Sequence, residues 1–267
     1  MVQLAFKWLA AFWLMPWRIL SRWVTAFRNS LRQVFGLEPS VDVQRDKDGG
    51  AVERAQAPDR NEVRTRVPSH AGSFLQAYYL GYAGIRNYKV FIPPGYNKQP
   101  LPLVVMLHGC TQAPEDFALG TGMNALAATH QFFVVYPEQA LLANGLKCWN
   151  WFKSSNQHRD RGEPAIIAGI TQEVIKTYGL DATRVYVAGL SAGGAMAVIM
   201  GRAYPDLYAA VGVHSGIPYA AAHNANSAFA VMKGAVSRSR RTTLAPRLIP
   251  TIVLHGDNDK TVHHAGP

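Results

Sequence analysis

The stretch 185-VYVAGLSAGGAMA-197 sets a serine, Ser191, between a run of strand-forming residues and a run of small helix formers. Gly189-Leu190-Ser191-Ala192-Gly193 fits G-x-S-x-G, in which a sharp strand-to-helix turn strains the serine backbone and lifts its hydroxyl clear of a sheet. A side chain at Gly189 or Gly193 would collide with the neighbouring strand or helix. A serine held this way suits nucleophilic attack on a carbonyl carbon, and Ala192 at the helix start would offer its N–H to the developing oxyanion. The plainer alternative is a glycine-rich turn carrying a passive serine.

An attacking serine needs a second oxyanion donor, an acid and a base. The stretch 107-LHGCTQ-112 ends an earlier apolar run with His-Gly, a place from which a loop could supply a second backbone N–H to the same oxyanion. This assigns the Cys110 N–H as partner of the Ala192 N–H, and His108 reads as a loop-fixing histidine rather than a proton carrier. Farther on, 255-HGDNDKTV-262 ends a late apolar run, where a Ser…Asp…His chain order would place its carboxylate. Asp259 is the expected acid and Asp257 the expected loop holder. The order then demands a histidine beyond one more strand, and the sequence ends at 261-TVHHAGP-267. His263 and His264 follow Asp259 too closely to reach Ser191 and read as surface or loop residues. His130, His158, His214 and His223 precede the acid and have ordinary structural readings, so the base is expected to be missing.

These residues need a frame to hold them. Strand-like runs recur at 74-FLQAYYL-80, 88-YKVFIP-93, 103-LVVMLHG-109, 132-FFVVYP-137, 185-VYVAGL-190, 209-AAVGVHSG-216 and 250-PTIVLHG-256. The later runs are continuously apolar, as parallel strands covered on both faces must be. Helical candidates at 115–130, 164–179 and 192–205 lie between them, with Pro164 in a first turn and Gly179 as a stop signal. Strand–helix alternation of this kind predicts an α/β domain over 71–267, a doubly wound, mostly parallel sheet with helices on both faces.

Residues 1–37 are different. From Trp13 the apolar positions Trp17, Leu20, Val24, Phe27, Leu31 and Val34 form a helical stripe opposed by Arg18, Arg22, Arg28 and Arg32. That pattern suits an interfacial membrane or polymer-surface helix, or equally a helix packed on its own domain or a partner. Arg18 and Arg22 break the apolar run before it is long enough to span a bilayer, and a secretory signal is poorly formed. Residues 38–70 are charged and nearly free of large apolar residues, which predicts a disordered linker.

The 267 residues carry 27 Lys+Arg against 17 Asp+Glu, a formal charge of +10, but much of the excess is local to the head and to 238-RSRR-241. No zinc-finger spacing, RNA-binding aromatic motif or Walker loop accompanies it, which argues against a nucleic-acid partner. No ligand-spaced His/Cys cluster argues for a metal.

The segments 107-LHGCTQ-112, 135-VYPEQ-139, 148-CWNWF-152, 161-RGEPAIIAGIT-171, 189-GLSAGGAMA-197 and 250-PTIVLHGDNDKTVH-263 together resemble the polyhydroxybutyrate depolymerase family of esterases, α/β-hydrolases related to feruloyl and acetylxylan esterases. The resemblance spans residues 72–264. It implies a secreted, extracellular serine esterase acting on short-chain polyhydroxyalkanoates or related esters, with Ser191 as nucleophile, Asp259 as acid and no cofactor. The weak signal segment leaves a membrane-associated or cytoplasmic location as the alternative. The family's histidine belongs to a later Gly/His/Trp-rich segment that no position here matches, so the resemblance also implies a chain lacking its C-terminal strand, His loop and helix. In the family the 148–152 segment lines the active-site side, so an exposed Trp149 or Trp151 would bind an acyl or polymer segment; core packing is the alternative for both. Cys110 and Cys148 could form a disulfide bracing the oxyanion loop. Two other functions remain open: a feruloyl- or acetylxylan-type carbohydrate esterase, and a membrane- or polymer-surface binding protein without catalysis.

Overall fold

The apolar runs pair as strands of one seven-stranded sheet in the order β1-β2-β4-β3-β5-β6-β7. The computed structural model describes residues 72–235 and 249–263. The expected head helix and linker, the 238–241 arginines and His264 lie outside the described residues. β1 (Ser73–Gly81) and β2 (Gly84–Ile92) form a hairpin, and β2 lies antiparallel to β4 (Phe133–Pro137). β3 (Leu103–Leu107), β4, β5 (Val185–Leu190), β6 (Ala210–His214) and β7 (Thr251–Leu254) run parallel.

The sheet is covered on both faces, which explains why the central runs are apolar throughout rather than alternating. Successive side chains of β3 go to opposite sides. Leu103, Val105 and Leu107 join the larger core with α3 (Gly162–Tyr178) and α4 (Ala192–Ala203), while Val104 and Met106 join a second core with α1 (Pro114–Thr121) and α2 (Met123–His130). All residues of β3 and β4 are buried.

Two elements differ from expectation. The single helix expected over 115–130 is two, because Gly122 takes φ 63° and closes α1 with its N–H on Ala118 O and Leu119 O before α2 begins. Only a residue without a Cβ enters that region at little cost. A further helix, α5 (Ala225–Met232), was not anticipated. Asn224 caps it by accepting the Ser227 N–H at 2.9 Å, so its signal was the cap rather than a long apolar stripe. Among the described residues no helix is long and apolar enough to cross a membrane.

Candidate active site

The C-terminal ends of parallel strands in an open α/β sheet are where the chain turns and ligands have access. Four of those ends carry the residues singled out above. The register sets Leu107 of β3 opposite Gly189 of β5, and Leu190 opposite His214 of β6. His214 in turn pairs with Leu254 of β7.

Ser191 sits between β5 and α4 with φ 55° and ψ −118°. A non-glycine residue there is strained, and the surroundings must over-determine it. They do so through the Ser191 N–H, donated to His214 O at 2.9 Å, and the Ser191 carbonyl, which accepts the Ala195 N–H at 2.9 Å in the first turn of α4. The flanking glycines are enforced by contact. A Cβ on Gly189 would overlap the Gly193 carbonyl, and one on Gly193 would overlap the carbonyls of Leu107 and His108. The helix therefore starts against the neighbouring strands, with Ala192 buried at its first position.

The loop after β3 faces this turn. A Cβ on Gly109 would lie 3.7 Å from Ser191 Cβ. The Gly109 N–H is donated to Gln112 Oε1 at 2.8 Å and the Thr111 N–H to Leu146 O at 2.7 Å, whereas no acceptor among the described residues engages the Cys110 N–H between them. Thr111, at φ 63°, bends the loop. A disulfide joins Cys110 to Cys148, tying this loop to the segment beyond β4. His108 is buried; its Nδ1 lies 2.7 Å from Gly109 O, and its Nε2 accepts the Gln139 N–H at 3.0 Å. Burial pushes its pKa down, which keeps the ring neutral. Both ring nitrogens are thus committed to holding backbone.

Asp259 lies in the loop after β7. Its Oδ1 accepts the Thr261 and Val262 N–H groups, each at 2.9 Å, and its Oδ2 lies 3.7 Å from His255 Nε2. The loop-holding bonds expected of Asp257 thus come from Asp259, and Asp257 is exposed. His255, which the sequence did not single out, directs Nε2 at Val262 O at 2.8 Å. His214, within electrostatic range of His255 and Asp259, has its pKa lowered chiefly by burial. His158, His223 and His263 are exposed, with His263 against Gly234. No described histidine ring is hydrogen-bonded to the Ser191 hydroxyl.

Trp149 and Trp151 are a correction. Their relative exposures are 0% and 6%, and both belong to the larger core. Indoles buried to this degree offer no face to a substrate, so both pack in the core. The same segment brings in residues that sequence reasoning passed over. Glu163, at the start of α3, is 4% exposed and accepts Gln139 Nε2 and Asn150 Nδ2 on Oε1, each at 2.6 Å, and the Asn150 N–H on Oε2 at 2.7 Å. The hint was an acid in the first turn of the helix, directly before the apolar run Pro164–Ile167.

Comparison with known proteins returns esterases. A family model described as "Esterase PHB depolymerase" matches residues 86–266. The chain is 41% identical over 138 residues to poly(3-hydroxyalkanoate) depolymerase C of Paucimonas lemoignei, covering 52% of this chain and 33% of that protein. It is 32% identical over 133 residues to acetylxylan esterase A of Emericella nidulans, covering 49% and 42%. The chain thus spans a third to a half of the length of these relatives. A solved acetyl xylan esterase from Aspergillus awamori superposes with a TM-score of 0.64 at 22% identity, over 73% of this chain and 76% of that one, and shares the fold.

Proposed function

The chain belongs to the esterase PHB depolymerase family, and from that premise we propose that it is a serine carboxylic ester hydrolase acting through Ser191. The observation that carries this reading is the strained Ser191 turn between β5 and α4, with Ala192 at the helix start and Gly109 of the β3 loop against it; the Ala192 and Cys110 N–H groups are the proposed oxyanion donors. In the proposed reaction Ser191 Oγ bonds to the ester carbonyl carbon, and the carbonyl electron pair moves onto oxygen, which those two N–H groups stabilise. The intermediate collapses with loss of the alcohol, leaving an acyl group on Ser191; water then releases the acid. Asp259 retains Oδ2 for orienting an imidazole that takes the serine proton, a role carried over from the family resemblance. The described ring beside that oxygen is His255, whose Nε2 lies 3.7 Å away and is directed at Val262 O, not at Ser191.

The proposed substrate is a short-chain polyhydroxyalkanoate or a related ester, supported by the depolymerase relative. Acetyl esters of xylan are the second reading, supported by the acetylxylan esterase relatives. An extracellular location accords with the Cys110–Cys148 disulfide, since such bonds persist in oxidising compartments. The test is hydrolysis of p-nitrophenyl butyrate by the chain and by Ser191→Ala, followed by hydroxybutyrate oligomers against acetylated xylan. Loss of turnover in a folded Ser191→Ala supports the proposal, and equal turnover by both refutes it. The preferred polymer then decides between the substrates.

A further inference from the structure

We propose that Glu163 is a positioning residue for the Cys110 amide, a buried carboxylate whose two hydrogen-bonded arms converge on the Gly109–Cys110 peptide unit of the loop packed beside Ser191. The inference rests on the esterase reading, in which the Cys110 N–H is the second oxyanion donor.

The first arm runs through histidine. Glu163 Oε1 accepts Gln139 Nε2 at 2.6 Å, and the Gln139 backbone N–H donates to His108 Nε2 at 3.0 Å. A backbone N–H can only donate, so Nε2 is the unprotonated nitrogen and Nδ1 carries the proton. Nδ1–H therefore donates to Gly109 O at 2.7 Å. That carbonyl and the Cys110 N–H belong to the same planar peptide. A hydrogen bond accepted at its oxygen fixes the plane and polarises the unit, strengthening its N–H as a donor.

The second arm runs through the disulfide. Glu163 holds Asn150 by its backbone N–H and its side-chain amide, and Gln139 Nε2 also donates to Cys148 O at 3.0 Å. Cys148 is bonded to Cys110, so the fixed segment anchors the Cys110 side chain while His108 fixes its amide. The amide orientations are set by their other partners: Gln139 Oε1 accepts the Ala140 N–H, and Asn150 Oδ1 accepts Asn144 Nδ2. Glu163 Oε1 and Oε2 thus face donors, as a buried anion requires, and Arg86 of β2 adds an opposite charge within electrostatic range. The stretches 107–112, 135–139, 148–152 and 161–171 meet in this one brace.

The test combines NMR of the 15N-labelled chain with ester kinetics. In the wild type, the His108 ring nitrogens should report the Nδ1–H tautomer. In Glu163→Gln, with folding checked by circular dichroism, the Cys110 amide resonance should move or broaden and exchange faster with solvent. kcat for p-nitrophenyl butyrate should fall about tenfold with KM within about twofold, less than the loss of an oxyanion donor itself. Gln139→Met, which keeps the Gln139 backbone N–H, should shift the Cys110 amide in the same sense and serves if Glu163→Gln does not fold. An Nε2–H tautomer at His108, or an unmoved Cys110 amide in either folded variant, overturns the proposal. Turnover that persists in a folded Ser191→Ala counts against the esterase reading, whereas in a chain without turnover the NMR readouts decide the positioning role alone.

Discussion

Ser191 holds a backbone conformation that residues with a side chain avoid, and its neighbours are chosen by contact rather than by chemistry. Placing a methyl on Gly193 would drive it into the carbonyls of Leu107 and His108, which belong to the strand and loop beside the serine. Gly193→Ala should therefore lower the unfolding free energy by about 2 kcal/mol or more, within the range for overpacked and strained sites, and should abolish hydrolysis; a denaturant midpoint equal to wild type would contradict this. Ser191 was legible in the sequence because a local pattern of glycines around a serine specifies one kind of turn. The Trp149 and Trp151 environments were not, because a tryptophan's burial is decided by distant segments that the local sequence does not name. The sequence pointed to Asp259 as the acid and to Asp257 as the loop holder, whereas the bonds to the Thr261 and Val262 amides are made by Asp259, a choice between neighbouring carboxylates that no local pattern encodes.

At the scale of elements, the site is the meeting of loops that leave one end of the sheet, and what matters is how firmly they are tied together. The loop after β3 is bound to the segment beyond β4 by the Thr111 N–H on Leu146 O and by the Cys110–Cys148 disulfide. The cysteines are 38 residues apart, for which loop closure in the unfolded chain predicts stabilisation of roughly 4 kcal/mol. The Cys110→Ala/Cys148→Ala variant should lose up to that amount in chemical denaturation and should also lose turnover while still folded. Unchanged turnover in the folded variant would mean that the Cys110 amide needs no brace. The central strands were legible because strands covered on both faces must be apolar throughout. The division of 114–130 at Gly122 was not, since a glycine inside a helical pattern is compatible with either a passage or a stop. The brace around Glu163 was invisible for a stronger reason: its members stand far apart in sequence, and only the pairing of β3 beside β4 brings their loops together.

The whole molecule carries its titration behaviour into its stability. Burial lowers the pKa of both His108 and His214 in the folded state. Unfolding returns each to about 6.5, so below that pH the unfolded chain binds more protons. The stability these neutral rings contribute is fully present above about pH 6.5 and is lost as pH falls through that value towards their folded pKa. The urea midpoint should accordingly drop between pH 7.5 and pH 5.5, and a midpoint constant over that interval would contradict the burial of neutral imidazoles. The two cores and the sheet order explain why the α/β reading held from sequence to structure, whereas the partners of the acid and the serine depend on single loop contacts that no periodicity encodes. The most direct test of the central claim, that Ser191 is the nucleophile of an ester hydrolase, is mass spectrometry of the chain quenched in acid during turnover of p-nitrophenyl butyrate. A butyryl group on the peptide containing Ser191, absent from Ser191→Ala, is the predicted result; hydrolysis that proceeds with no acyl group on that serine would contradict it.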